Sequence, residues 1–213
     1  MKNISRYKVD NGILISLILL SIISITTIYS AQSLLPNHLH NLAIKQTVWF
    51  ILGFGIAYLL MSIGNEFLYR NVWFLYIIGI ISLIALILFA TPINGSKCWF
   101  SLPGMGTIQP SEFMKIILIL TLGRVINEFN EENNDPTIKV EFKFLIKIAI
   151  IVGIPSLLTF MQPDTGVVII YLIITLCMLF ISGIRYFWFF IFLGLITLFI
   201  GLILGIYFIN QDL

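Results

Sequence analysis

Charge is scarce in this sequence. Only 10% of its 213 residues are Asp, Glu, Lys or Arg, where soluble domains carry about a quarter. Hydrophobic residues make up 59% of the chain, and the mean hydropathy is +1.04. A soluble core of this size could not hide so much apolar surface, whereas a lipid bilayer accepts it. The net charge of +2 is too small to point to nucleic acid. Cysteine and histidine are also scarce, at two residues each. Cys98 lies in a Gly-rich loop and Cys177 in a long apolar run, which excludes a disulfide framework and leaves free thiols in apolar surroundings. His38 and His40 have no third ligand nearby, so no metal site is expected there.

What is present is a series of long apolar runs. A membrane-spanning helix needs about 20 apolar residues. Seven such runs stand out: Gly12–Ser30, Gln46–Ser62, Val72–Thr91, Ser111–Ile126, Phe144–Phe160, Thr165–Gly183 and Tyr186–Asn210. They predict an all-α fold, a polytopic transmembrane helix bundle in which residues 1–213 form a single membrane domain. Lys2, Arg6 and Lys8 ahead of Ile13–Ile28, followed by Ser30-Ala31, resemble a signal peptide. The uncharged stretch runs on to Asn41, longer than a signal core, so an uncleaved first span is favoured. Pro155 interrupts the fifth run, which a membrane helix tolerates when a neighbour satisfies the freed carbonyl.

Basic residues set the direction. With the N-terminus inside, Lys2, Arg6, Lys8, Arg70, Arg124, Lys139, Lys143, Lys147 and Arg185 fall on the inner side. Only Lys45, Lys97 and Lys115 fall outside. Residues 127–142, with Glu128, Glu131, Glu132 and Asp135, read as a solvated inner loop. Trp49, Trp73, Tyr186 and Trp188 fall near span ends, where interfacial anchoring accounts for them.

Ionisable residues at membrane depth are costly and mark functional paths. Glu112, Lys115 and Asp164 stand out, each near an outer helix end. Gln109-Pro110-Ser111-Glu112 opens the fourth span and Gln162-Pro163-Asp164-Thr165-Gly166 opens the sixth. Proline suits a first helical position, and a first-turn carboxylate meets unpaired backbone N–H groups. Glu112 and Lys115 share a helix face at i, i+3 and can pair. Two readings follow. The acids are helix caps and Lys115 snorkels to the interface, or the three line an outward polar cavity suited to an anionic or phosphate-bearing ligand. Between Asn94 and Gly106, a turn-rich outer loop carries Lys97, Trp99 and Phe100; it is either an aromatic anchor or a headgroup contact.

Four blocks, taken together, resemble the SEDS family of RodA, FtsW and SpoVE. They are Asn94-Gly95-Ser96-Lys97-Cys98-Trp99, Ile108-Gln109-Pro110-Ser111-Glu112-Phe113-Met114-Lys115, Gln162-Pro163-Asp164-Thr165-Gly166 and Ser182-Gly183-Ile184-Arg185. The resemblance covers essentially the whole chain and looks closer to the RodA branch. It implies a peptidoglycan glycosyltransferase of the bacterial cytoplasmic membrane that polymerises lipid II at the outer face, partnered by a class B penicillin-binding protein. It implies ten spans, with a large outer loop after the seventh that carries an essential aspartate. The chain ends at Leu213, where that loop would begin; Asp212 is not taken for the family's acid, and the 213 residues alone are expected to be inactive. By resemblance, Glu112, Lys115 and Asp164 are cavity residues and Lys97 belongs to a basic-aromatic block. Gln109, Pro110, Ser111, Gln162, Pro163 and Gly166 complete the motifs. Lys115 and Lys97 would then contact lipid phosphate, and Glu112 and Asp164 would orient Lys115 or bind a divalent ion. Two other readings are a transporter of lipid-linked precursors and a non-catalytic remnant that binds partners.

Overall fold

The structure, a computed structural model, describes residues 10–36, 41–93, 95–104, 106–195, 197–198 and 201. Lys2, Arg6, Lys8, His38, His40, Asn94 and residues 202–213, with most of the C-terminal half of the seventh expected span, lie outside the described residues. The chain forms two compact units, Met1–Phe74 with Trp99–Gln109, and Leu75–Cys98 with Pro110–Leu213.

The first unit holds α1 (Asn11–Gln32), α2 (Leu42–Ile63), the short α3 (Asn65–Arg70) and a β-hairpin. Asp10 starts α1 by accepting from the backbone N–H groups of Gly12 at 2.7 Å and Ile13 at 3.2 Å, the arrangement an N-cap carboxylate provides. At its far end the Gln32 side chain is buried and accepts from Ala43 N–H at 3.0 Å. That bond satisfies an orphan donor in the first turn of α2. Strands β1 (Phe100–Leu102) and β2 (Gly106–Ile108) pair antiparallel, Phe100 opposite Ile108. Gly104, at φ 78°, supplies the left-handed turn between them. The Trp99 indole N–H closes the open end on Gln109 Oε1 at 3.1 Å. Gln109 of the first motif therefore holds the hairpin shut.

In the second unit the helices are α4 (Val72–Phe89, which begins in the first unit), α5 (Pro110–Glu132), α6 (Ile138–Phe160) and α7 (Thr165–Ile181). Residues 187–195 form a further helical run. The core is built on α5. Met114, Leu118, Leu122 and Val125 lie on one face at helical spacing and are buried. Phe144, Ile148, Ile151 and Val152 of α6 and Val167 and Tyr171 of α7 are also buried. Gly79 allows α4 to come close, since a Cβ there would lie 2.6 Å from Met114 Sδ.

The chain is a polytopic helical membrane protein. By length and composition α1, α2, α4 and α6 can each cross a bilayer. Their lipid-facing sides are rows of exposed Ile, Leu and Phe. Helix α7 is apolar but has 17 residues, and α5 carries Glu112, Lys115 and Arg124 on a helix mostly packed on its neighbours. The inner loop is the clear correction. Residues 127–132 and 138–142 are helical, and only 133–137 form the turn. Hydropathy marks the part of a helix that lies in lipid, not where the helix ends. Here i, i+4 pairs carry the helix onward: Arg124 Nε to Glu128 at 2.8 Å and Asn127 Nδ2 to Glu131 at 2.8 Å.

Pro155 removes the N–H that would bond the carbonyl four residues earlier. That carbonyl belongs to Ile151, and the buried Tyr76 hydroxyl of α4 donates to it at 2.9 Å. Tyr76→Phe should lower stability in detergent by about 1 kcal/mol, the scale of hydrogen bonds between membrane helices. In a Pro155→Ala background, where the helix supplies its own donor, the same change should have almost no effect. A double-mutant thermal-unfolding cycle measures this coupling; equal effects in both backgrounds would refute it.

Candidate functional site

One end of the second unit gathers most of the motif residues. Here α4 and α6 end, and α5 and α7 begin. Pro110 stands first in α5, where its missing N–H is harmless. Glu112 follows in the first turn and pairs with Lys115 at 2.7 Å. Lys115 is 21% exposed and Glu112 52% exposed, so the ammonium lies deeper than the carboxylate. The pairing expected from their spacing is present.

Asp164 caps α7, its Oδ1 accepting from Val167 N–H at 3.2 Å. The capping reading therefore holds for this acid. Gly166 stands in the same first turn. Between the two helix starts lies Tyr171. It is fully buried and donates to the Ser111 carbonyl at 3.0 Å. Glu112 and Asp164 both lie near enough to act electrostatically on its hydroxyl. Ser111 Oγ is buried without a hydrogen-bond partner among the described residues, and the buried Thr159 hydroxyl lies beside that of Tyr171.

Gln162 is almost wholly buried and fastens the α6–α7 turn to α4. Its Nε2 donates to the Leu83 carbonyl at 3.0 Å, and its backbone carbonyl accepts from the Cys98 thiol at 3.0 Å. Pro163 follows it and precedes the cap. Lys97 Nζ donates to the Ile87 carbonyl at 3.3 Å in the last turn of α4, where a cation meets the negative end of the helix. Lys97 thus acts on the backbone here and reaches a phosphate only by leaving Ile87.

The two cavities described lie elsewhere. One, of ≈ 480 Å³, is an apolar groove between α6, α7 and the helical run at 187–195. The other, of ≈ 300 Å³, opens at the α5–α6 turn. Among the described residues no group of three or more His, Cys, Asp or Glu could hold a metal ion. A divalent ion at Glu112 and Asp164 would need ligand oxygens to complete its shell.

Tyr171, Thr159 and Cys98 were not singled out by sequence reasoning as parts of this end. Only a hydroxyl in an apolar helix hinted at Tyr171. Glu141, at the other end, was missed as well. It is 1% exposed, and its oxygens take the Trp188 indole N–H at 2.8 Å and the Arg185 guanidinium at 3.7 Å. Arg185 in turn donates to the Pro136 carbonyl at 2.6 Å. The last motif, Ser182-Gly183-Ile184-Arg185, is therefore a clasp on the start of α6, with Gly183 at φ 79° making the turn.

The Cys98 thiol is pushed above its ordinary pKa, first by burial and then by the negative charge of Asp164, while a hydrogen bond with Ser96 opposes the shift. The thiolate is the reactive form, so a lowered pKa raises reactivity at fixed pH. Asp164→Asn keeps a capping side chain and removes the charge. With Cys177 replaced by Ser, it should move the pH profile of Cys98 alkylation to lower pH. An unmoved profile would show that Asp164 does not face this thiol.

Comparison with known proteins shows the family. The family model described as cell cycle protein, FtsW/RodA/SpoVE, matches residues 10–212. A probable peptidoglycan glycosyltransferase FtsW of Wigglesworthia glossinidia brevipalpis is 31% identical over 211 residues, covering 96% of this chain and 54% of the relative. The protein of that name from Hydrogenovibrio crunogenus is 26% identical over 185 residues, 84% of this chain and 45% of its own length. Among solved structures, a peptidoglycan synthase complex that couples polymerization and crosslinking contains a chain that superposes with a TM-score of 0.74 at 21% identity. That match covers 91% of this chain and 54% of the other. The rod shape determining protein RodA of Thermus thermophilus superposes at 0.70 with 22% identity, covering 91% and 60%. At such identities the structures show the fold. The chain spans about half the length of the relatives it matches. It belongs to the FtsW/RodA/SpoVE family.

Proposed function

We propose that this member of the FtsW/RodA/SpoVE family forms the lipid-phosphate-binding half of a peptidoglycan glycosyltransferase, with lipid II as its ligand. Several observations support the reading. Relatives bear the glycosyltransferase name over nearly the whole chain. The single observation that carries the site is the Lys115–Glu112 pair in the first turn of α5, beside the Asp164 cap of α7. A half-exposed Glu112 can swing away and leave the ammonium to a pyrophosphate. Lys97 is a second cation at the same end once it releases Ile87. Glu112 and Asp164 then orient Lys115 or share a divalent ion with the ligand.

In the complete enzyme this arrangement supplies electrostatic stabilisation to a departing lipid pyrophosphate, while a base takes the proton of the acceptor hydroxyl. The N-terminus lies in the cytoplasm, which puts the Lys115 end at the outer face of the bacterial cytoplasmic membrane. A class B penicillin-binding protein is the partner, a reading supported by the synthase complex that shares the fold. The transporter reading draws no support from the motifs, because α5 and α7 follow their Gln-Pro turns in the same direction, with α6 returning between them. An inverted repeat would oppose them.

Lys115→Met should weaken lipid II binding by the purified chain in nanodiscs about tenfold, the loss of one charge-assisted hydrogen bond. Lys115→Arg should retain most of it. Unchanged affinity in Lys115→Met would remove the role.

A further inference from the structure

The charges at the α5–α6 turn, which the proposed function does not use, line a cavity of their own. Helices α5 and α6 are antiparallel neighbours. Glu128 and Glu132 are one turn apart on α5, and Lys143 and Lys147 are one turn apart on α6. Glu128 and Lys147 meet at 3.9 Å, and Glu128 also holds Arg124 at 2.8 Å. Moving one turn toward the connection on each helix brings Glu132 opposite Lys143. The same register therefore calls for a second ion pair, but the structure holds none. Both side chains are exposed, and neither has an ion-pair partner among the described residues. Between them opens the cavity of ≈ 300 Å³.

The cavity carries opposite charges on opposite walls. Its floor is apolar, made by Phe129 and Phe144, whose rings stack at 4.0 Å. An anion alone would meet the carboxylate of Glu132, and a cation alone the ammonium of Lys143. An occupant with a phosphate and an ammonium a few atoms apart satisfies both. The site lies at the end of α6, a helix able to cross the bilayer, and Lys143 stands in its second turn, the depth at which lysines reach headgroups. We infer that this cavity binds the headgroup of a zwitterionic phospholipid with a primary ammonium, its phosphate on Lys143 and its ammonium on Glu132. Choline headgroups fit worse, because a trimethylated nitrogen has no N–H to donate.

Native mass spectrometry of the full chain, released from detergent with equimolar phosphatidylethanolamine, phosphatidylcholine and phosphatidylglycerol of matched acyl chains, tests the site. Phosphatidylethanolamine should be retained about fivefold over either competitor, the ratio one charge-assisted contact at a half-exposed site supplies. Glu132→Gln or Lys143→Gln should abolish the preference, and Asp135→Asn, which removes an exposed acid in the adjoining turn, should leave it. The charge swap Glu132→Lys with Lys143→Glu should restore it, since the headgroup can turn end for end. Elution volume and far-ultraviolet circular dichroism establish that each variant is folded. Equal retention of the three lipids, a preference for phosphatidylglycerol, or a preference that survives both single variants would overturn the inference.

Discussion

Within hydrocarbon no water is available, so a buried polar group is costly unless it finds a partner in the chain. The second unit is organised by that constraint. Pro155 leaves the Ile151 carbonyl without its helical donor, and Tyr76 supplies one from α4. The α6–α7 turn exposes polar backbone at the end of the core, and Gln162 and Cys98 tie it to α4 and the loop that follows. Tyr171 carries a hydroxyl into a buried position and delivers it to Ser111. Each bond satisfies a polar group and at the same time ties together two segments distant in the sequence. The helix starts that bear Glu112, Lys115 and Asp164 are held by these bonds, so the geometry of the site follows from polar satisfaction in the core.

The two ends of the unit solve the charge problem differently. At the Lys115 end the acids stand at helix starts, where backbone N–H groups and the helix dipole favour a carboxylate. Lys115 adds a cation within reach of both water and the interface. At the other end Glu141 is sunk in the protein, and its charge is met by Arg185 and the Trp188 indole. Only the carboxylate is buried, so the pair is weak evidence for stability, but removing its partners would strand the Glu141 charge. It sets where the helical run at 187–195 leaves α7 and so shapes the apolar groove of ≈ 480 Å³ beside it.

Much of this was legible in the sequence, for reasons that vary by residue. The apolar runs marked the helices because hydropathy reports contact with lipid. The i, i+3 spacing of Glu112 and Lys115 foretold their pair, and the Gln-Pro-Asp order foretold the Asp164 cap, because both are local. The extension of α5 to Glu132 and the start of α6 at Ile138 were not legible from hydropathy, since Glu and Lys sustain a helix in water as well. The hairpin at 100–108 was hidden by strands of three residues each. Tyr171, Gln162 and Glu141 act on residues 60, 79 and 44–47 positions away, and no local pattern encodes such partners. Lys97 was read for its charge, while its bond to Ile87 depends on the fold of the intervening loop.

The account rests most heavily on the Lys115 end facing outward, where a lipid-linked sugar donor would be met. Labelling of intact bacterial cells with a membrane-impermeant maleimide tests this directly, in a chain whose Cys98 and Cys177 are replaced by Ser. Met161→Cys places an exposed thiol in the α6–α7 turn and Asp135→Cys places one in the α5–α6 turn. Position 161 should label in intact cells, and position 135 only after the membrane is permeabilised. The reverse pattern would contradict the account.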